Sequence, residues 1–114
     1  MMNRGRAVKS LAALAQDTRL DAFRLLVQAG PPGLAAGDLA GRLDVSPPGL
    51  SFHLRGLAEA GLVRARQDGR FIYYSADYDA MQSLVDFLTE NCCAGTACMS
   101  ARAAGRRQIA RRAS

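Results

Sequence analysis

Apolar residues recur along most of this chain at the spacing of a helix, and in one stretch the spacing switches to that of a strand. "VKSLAALAQ" places Val8, Leu11, Ala12 and Ala15 on one side of a short first helix. "DTRLDAFRLLVQAG" follows with Leu20, Phe23, Leu26 and Val27 as its apolar face, Asp17 or Thr18 as cap, and Gly30 as the stop before Pro31-Pro32. "AAGDLAGRLDV" predicts a shorter helix anchored by Leu39 and Leu43. In "VSPPGLSFHLRGLAEAGLV", Ser46 suits the N-cap and Pro47 the first helical position, where a missing N–H costs nothing. Leu50, Leu54 and Leu57 then point inward, and Gly61 ends the helix. "LVRARQDGRFIYYSA" has period two, with Asp68-Gly69 as the predicted hairpin turn. "DYDAMQSLVDFLTENCC" returns to helix, with Met81, Leu84, Val85 and Leu88 on one stripe and Asp77 or Asp79 as cap.

The order α-α-α-α-β-β-α is that of a winged helix-turn-helix, a mainly α (α+β) fold. Its second short helix enters the major groove, and its hairpin touches the adjacent backbone or minor groove. A groove-reading helix needs small residues near its N-terminus and a few outward donors. "SPPGLSFHLR" supplies Gly49, Ser51 and Arg55, with Ser46 as a cap that also has a hydroxyl for a phosphate. Phe52 has two readings, contact with a thymine methyl or packing against the neighbouring helix. His53 lies nearer the Leu50/Leu54 stripe than the outward face, which favours a supporting role on the flank over direct base contact. Arg66 and Arg70 flank the hairpin tip and are the phosphate candidates of the wing. The DNA-binding set is thus Ser46, Gly49, Ser51, Phe52, His53, Arg55, Arg66 and Arg70.

Charge adds little to this picture. Residues 1–90 hold ten Lys and Arg against ten Asp and Glu, so the net +5 comes from Arg102, Arg106, Arg107, Arg111 and Arg112. The arginine-rich tail, 99–114, is expected to be flexible. No apolar run approaches the ~20 residues of a membrane span. The basic N-terminus lacks the apolar core of a presequence, so the cytoplasm is the expected location. There is no C-x-x-C, no phosphate-cradling loop and no general base beside a nucleophile, which argues against an enzyme.

The stretch from Leu11 to Leu88 resembles the ArsR/SmtB metalloregulatory repressors. The specific matches are "S-x-H-L-x-x-L-x-x-A-G-L-V", Ser51 to Val63, and "D-G-R-x-x-x-Y", Asp68 to Tyr74. The resemblance implies a homodimer that binds inverted repeats in promoter DNA, and the DNA-binding and dimerisation domain is expected over residues 1–91. It also implies an interface of first and last helices, here Val8, Leu11, Ala15, Met81, Leu84, Val85 and Leu88. The C-x-C pair of the family's arsenic sensors is replaced by Ala35 and Gly37, and the last helix has no histidine for the zinc sensors' site.

All three cysteines fall instead within residues 92–98: Cys92, Cys93 and Cys98. Cys93 and Cys98 are separated by at most ~17 Å of extended chain, so the small residues between them can fold back and gather three sulfurs. Three soft thiolates without a fourth donor suit As(III) or Sb(III), whereas structural zinc takes four ligands. Some family members carry a similar vicinal pair with a later cysteine. A thiol-redox switch or a Cd, Pb or Zn sensor is the alternative for the same cluster, with Cys98 as the disulfide partner, because vicinal cysteines bridge only with strain.

Overall fold

A computed structural model describes residues 2–95. Helix α1 (Arg4–Leu14) starts at Asn3, whose side chain accepts from the Arg6 amide at 2.8 Å. It buries only small residues, Ala7, Ser10 and Ala13, so it sits close against its neighbours. Val8, Leu11 and Ala15 lie on the opposite side and are at least partly open to solvent. This second apolar face is not core of the single chain.

Helix α2 (Asp17–Ala29) is capped by Gln16, which accepts from the Arg19 amide at 2.9 Å, and not by Asp17 or Thr18. Asp17 falls inside the first turn, where an acid still favours the helix dipole. Gly30 ends the helix at φ 86°. Next comes a strand that the pattern does not announce, β1 (Leu34–Ala35). Gly33, at φ 74°, lets the chain approach that strand's partner so closely that a Cβ there would run into the Tyr74 carbonyl. Helix α3 (Ala36–Leu43) closes at Asp44 in the left-handed conformation, φ 55°. Helix α4 (Pro47–Glu59) begins at Ser46, whose Oγ accepts from the Gly49 amide at 3.2 Å, with prolines at its first two positions.

Strands β2 (Val63–Asp68) and β3 (Phe71–Ala76) form the hairpin, and β1 pairs with the other edge of β3, giving a three-stranded antiparallel sheet in the order β1-β3-β2. Asp68 pairs with Phe71, so the turn is Gly69-Arg70, one residue later than predicted. Only Gly69 of the two has positive φ, 64°. That is the arrangement of a turn with glycine first, which needs no left-handed second residue. Helix α5 (Tyr78–Leu88) is capped by Asp77, which accepts from the Ala80 amide at 3.0 Å. The Tyr78 hydroxyl donates to the Val27 carbonyl at 3.0 Å and ties the start of α5 to the end of α2.

The core brings together Phe23 and Leu26 of α2, Leu39 of α3, Leu50, Leu54 and Leu57 of α4, and Leu62 and Val63 leading into the sheet. Each fully buried leucine contributes about 2 kcal/mol of apolar burial. The three leucines of α4 therefore fix which side of that helix remains outside.

Candidate nucleic-acid interface

With Leu50, Leu54 and Leu57 buried, α4 turns Pro48, Ser51, Phe52 and Arg55 to the outside. Gly49 is half-buried, and a Cβ there would lie 3.0 Å from Ser46 Oγ. Its small size thus protects the cap as well as clearing the surface. Ser46 is exposed but already engaged as an acceptor. Arg55 makes no ion pair or hydrogen bond among the described residues, so its guanidinium is available.

His53 is half-buried on the flank, and its Nδ1 accepts a hydrogen bond from Arg19 Nε at 3.2 Å. Phe52 stands 60% exposed beside it, edge-on to the imidazole with centroids 5.5 Å apart. The Arg19 guanidinium lies 5.6 Å from the Phe52 centroid, a cation–π contact. Phe52 therefore packs against α2, but on an arginine and with most of its surface still open. Sequence pattern does not pick out Arg19: it stands 34 positions from His53, and only the packing of α2 on α4 joins them.

In the wing, the two candidate arginines differ. Arg66 donates to the Pro32 carbonyl at 3.3 Å, lies 3.7 Å from an Asp68 carboxylate oxygen and covers the Tyr73 ring at 4.8 Å. It braces the wing against the loop before β1. Arg70 occupies the turn itself, exposed and without a partner among the described residues. Behind them, Arg64 pairs with Asp77 at 3.2 Å. The Ala80 amide and then Arg64 hold the Asp77 carboxyl below its usual range, while partial burial acts in the opposite sense.

The last helix presents Leu84 inward, Met81 half-buried, and Val85 and Leu88 exposed. Together with Leu20, Phe23 and Val27 of α2, these residues line an open apolar groove of about 330 Å³. After α5 the chain breaks into an irregular turn, Cys92–Gly95, with Asn91, Cys93 and Ala94 all at positive φ. The Cys92 and Cys93 sulfurs lie 3.6 Å apart, and Cys92 is half-buried. Cys92 is a free thiol, whereas Cys93 is engaged in a disulfide, so the two sulfurs could share an ion only after reduction. Cys98 and the arginine-rich stretch lie outside the described residues. Among the described residues no group of three or more Cys, His, Asp or Glu side chains is gathered for a metal, and no helix is long and apolar enough to cross a membrane.

A family model described as a helix-turn-helix domain matches residues 14–66. The transcriptional activator HlyU of Vibrio cholerae is 30% identical over 86 residues, covering 75% of this chain and 77% of that one. A structure of an ArsR-like transcriptional regulator from Rhodococcus sp. RHA1 superposes with TM-score 0.68 at 30% identity, covering 93% of each chain. This chain belongs to the ArsR family of transcriptional regulators. Within that family, the arsenical resistance operon repressor of Escherichia coli is 41% identical over 61 residues, 54% of this chain and 50% of that one. The homodimeric winged helix-turn-helix domain of Mb0332 from Mycobacterium bovis matches with TM-score 0.62 at 27% identity, covering 76% of this chain and 81% of that one. The ArsR membership makes the chain a DNA-binding regulator and not an enzyme. The winged helix-turn-helix fold of these neighbours corresponds here to α3 and α4 followed by the β2–β3 hairpin.

Proposed function

We propose that this protein is a repressor that binds operator DNA as a homodimer and releases it when Cys92, Cys93 and Cys98, in their reduced form, bind As(III) or Sb(III). The observation that carries the reading is the vicinal Cys92–Cys93 pair just beyond α5, with sulfurs 3.6 Å apart, which reduction of the Cys93 disulfide would free for an ion. The naming of the E. coli relative as an arsenical resistance repressor supports the inducer class, and the homodimeric M. bovis domain supports the assembly. Within the dimer, the stripe Val8/Leu11/Ala15 and the α5 residues Met81, Leu84, Val85 and Leu88 are the contact surface.

Release follows from linkage. Closing three sulfurs around one ion pulls on the end of α5, which is part of the dimer surface, and favours a dimer whose two α4 helices no longer match successive major grooves. A coupling of about 1–3 kcal/mol loosens DNA binding roughly 5–150-fold. In contact with DNA, Ser51 and Arg55 of α4 meet base edges or phosphates and Arg70 meets the backbone.

The test is fluorescence anisotropy of a duplex from this gene's own promoter, with reduced protein titrated separately with arsenite, antimonite, zinc, cadmium and diamide. Release by arsenite or antimonite alone, abolished by Cys→Ser at any of the three positions, is the expected result. Release by diamide or by cadmium alone would replace the metalloid reading with a redox or soft-metal one. Release retained in Cys98→Ser would reduce the site to two sulfurs.

A further inference from the structure

Between α1 and α4 lies an open cleft of about 490 Å³ whose charged lining is Lys9, Arg19, Arg55 and Glu59. Three cations face one acid there, and none of the four makes an ion pair among the described residues. The cleft borders the outward side of α4, since Phe52 and Arg55 belong to both. Three unpaired cations lining one cleft, beside a helix that the proposed function places on DNA, suit a singly charged, multi-acceptor anion.

Arg19 is the residue built into this cleft. Its Nε is used by His53 Nδ1 and its plane lies near Phe52, which fixes the guanidinium. Its two terminal nitrogens make no hydrogen bond among the described residues and remain as donors. Gly56 leaves the space it occupies: a Cβ at that position would lie 2.7–2.9 Å from the guanidinium atoms. A glycine inside a helix is otherwise unfavourable relative to alanine. Here the missing methyl is what lets Arg19 lie across α4.

We propose that this cleft binds a backbone phosphate of the operator, with Arg19 as the presented donor, His53, Phe52 and Gly56 as the residues that position it, and Lys9 and Arg55 as flanking charges. Phe52 and His53 then serve DNA binding indirectly, through Arg19. The proposal rests on α4 being the DNA-facing helix.

Salt dependence separates this role from a structural one. Each phosphate that the protein ceases to neutralise lowers the slope of log K against log salt by about 0.9, whatever the sequence. The affinities of wild type, Arg19→Gln and Gly56→Ala are measured between low and moderate salt, on the promoter duplex and on an unrelated duplex. Both variants are expected to fold, by circular dichroism, and to reduce the slope by about 0.9 per protomer on both duplexes. Gly56→Ala carries every charge of the wild type and moves only the end of a flexible side chain, so it provides the answer if Arg19→Gln does not fold. An unchanged slope in either folded variant overturns the proposal. So does saturable binding of inorganic phosphate by the protein alone that Arg19→Gln abolishes without a slope change, because the cleft would then be a free-anion site. Failure of the wild type to bind either duplex would instead refute the reading of α4 on which the proposal stands.

Discussion

Arg64 Nε donates to Asp77 Oδ2 at 3.2 Å, so the first strand of the wing is fastened to the residue that caps α5. One carboxylate serves both: Oδ1 takes the Ala80 amide and Oδ2 takes the arginine. The wing and the helix proposed for dimer contact therefore share a joint. Because the Asp77 pKa is lowered below 3.8 in the folded protein, the carboxylate contributes stability above the unfolded value of about 3.9. That contribution is lost as the pH falls through the lower folded value. Asp77→Asn keeps a good cap but removes the charge, and Asp77→Ala removes both, at a cost of about 0.5–2 kcal/mol for the cap. Urea denaturation at pH 7 and pH 3 should show the wild type more stable than Asp77→Asn at the higher pH, with the gap narrowing at the lower.

Truncating the core side of α4 should unfold the protein without touching its surface. Leu54 is 1% exposed and surrounded by the core. Leu54→Ala is expected to cost about 2–5 kcal/mol, read from the urea midpoint. Ser51→Ala, three positions away on the exposed side, should leave that midpoint within about 0.5 kcal/mol.

The two wing arginines should separate experimentally. Arg70 has no intramolecular partner among the described residues, so Arg70→Ala should weaken DNA binding and leave the thermal midpoint unchanged. Arg66 holds Pro32, Asp68 and Tyr73, so Arg66→Ala should lower the midpoint as well. A midpoint unaffected by Arg66→Ala would show that the bracing is not formed in solution.

Leu88 is 58% exposed and Val85 46% exposed in the single chain. Placing an acid at either position costs the isolated fold little, whereas burying one unpaired in a dimer is prohibitive. Val85→Glu and Leu88→Glu should therefore sediment as folded monomers where the wild type sediments as a dimer. A wild-type monomer at micromolar concentration would remove the dimer from the proposed function.

Most elements are readable from pattern because each has a local physical cause. Leu50, Leu54 and Leu57 mark the buried side of α4, and Ser46-Pro47 its start. The misses also have causes. Strand β1 is two residues long, too short for any periodicity, and is defined by its pairing with Tyr73 and Tyr74. The hairpin turn lies one residue later because Asp68 finds a partner in Phe71. Gln16 caps α2 through a longer side chain than pattern favours at that position. For the site, the outward residues of α4 are legible, but the Arg19–His53 hydrogen bond joins positions 34 apart and exists only through helix packing. Burial likewise shows what spacing cannot: the Val8/Leu11/Ala15 stripe has the period of a core and is open to solvent.

The prolines that open α4 have an effect beyond starting it. A helix N-terminus ordinarily offers free backbone N–H groups to a phosphate. At positions 47 and 48 those groups do not exist, and at Gly49 the N–H is given to Ser46. The positive end of the α4 dipole is thus present without the N–H donors of its first three helical positions. In the proposed complex it would draw a phosphate chiefly through its field, and the task of gripping an oxygen would pass to side chains.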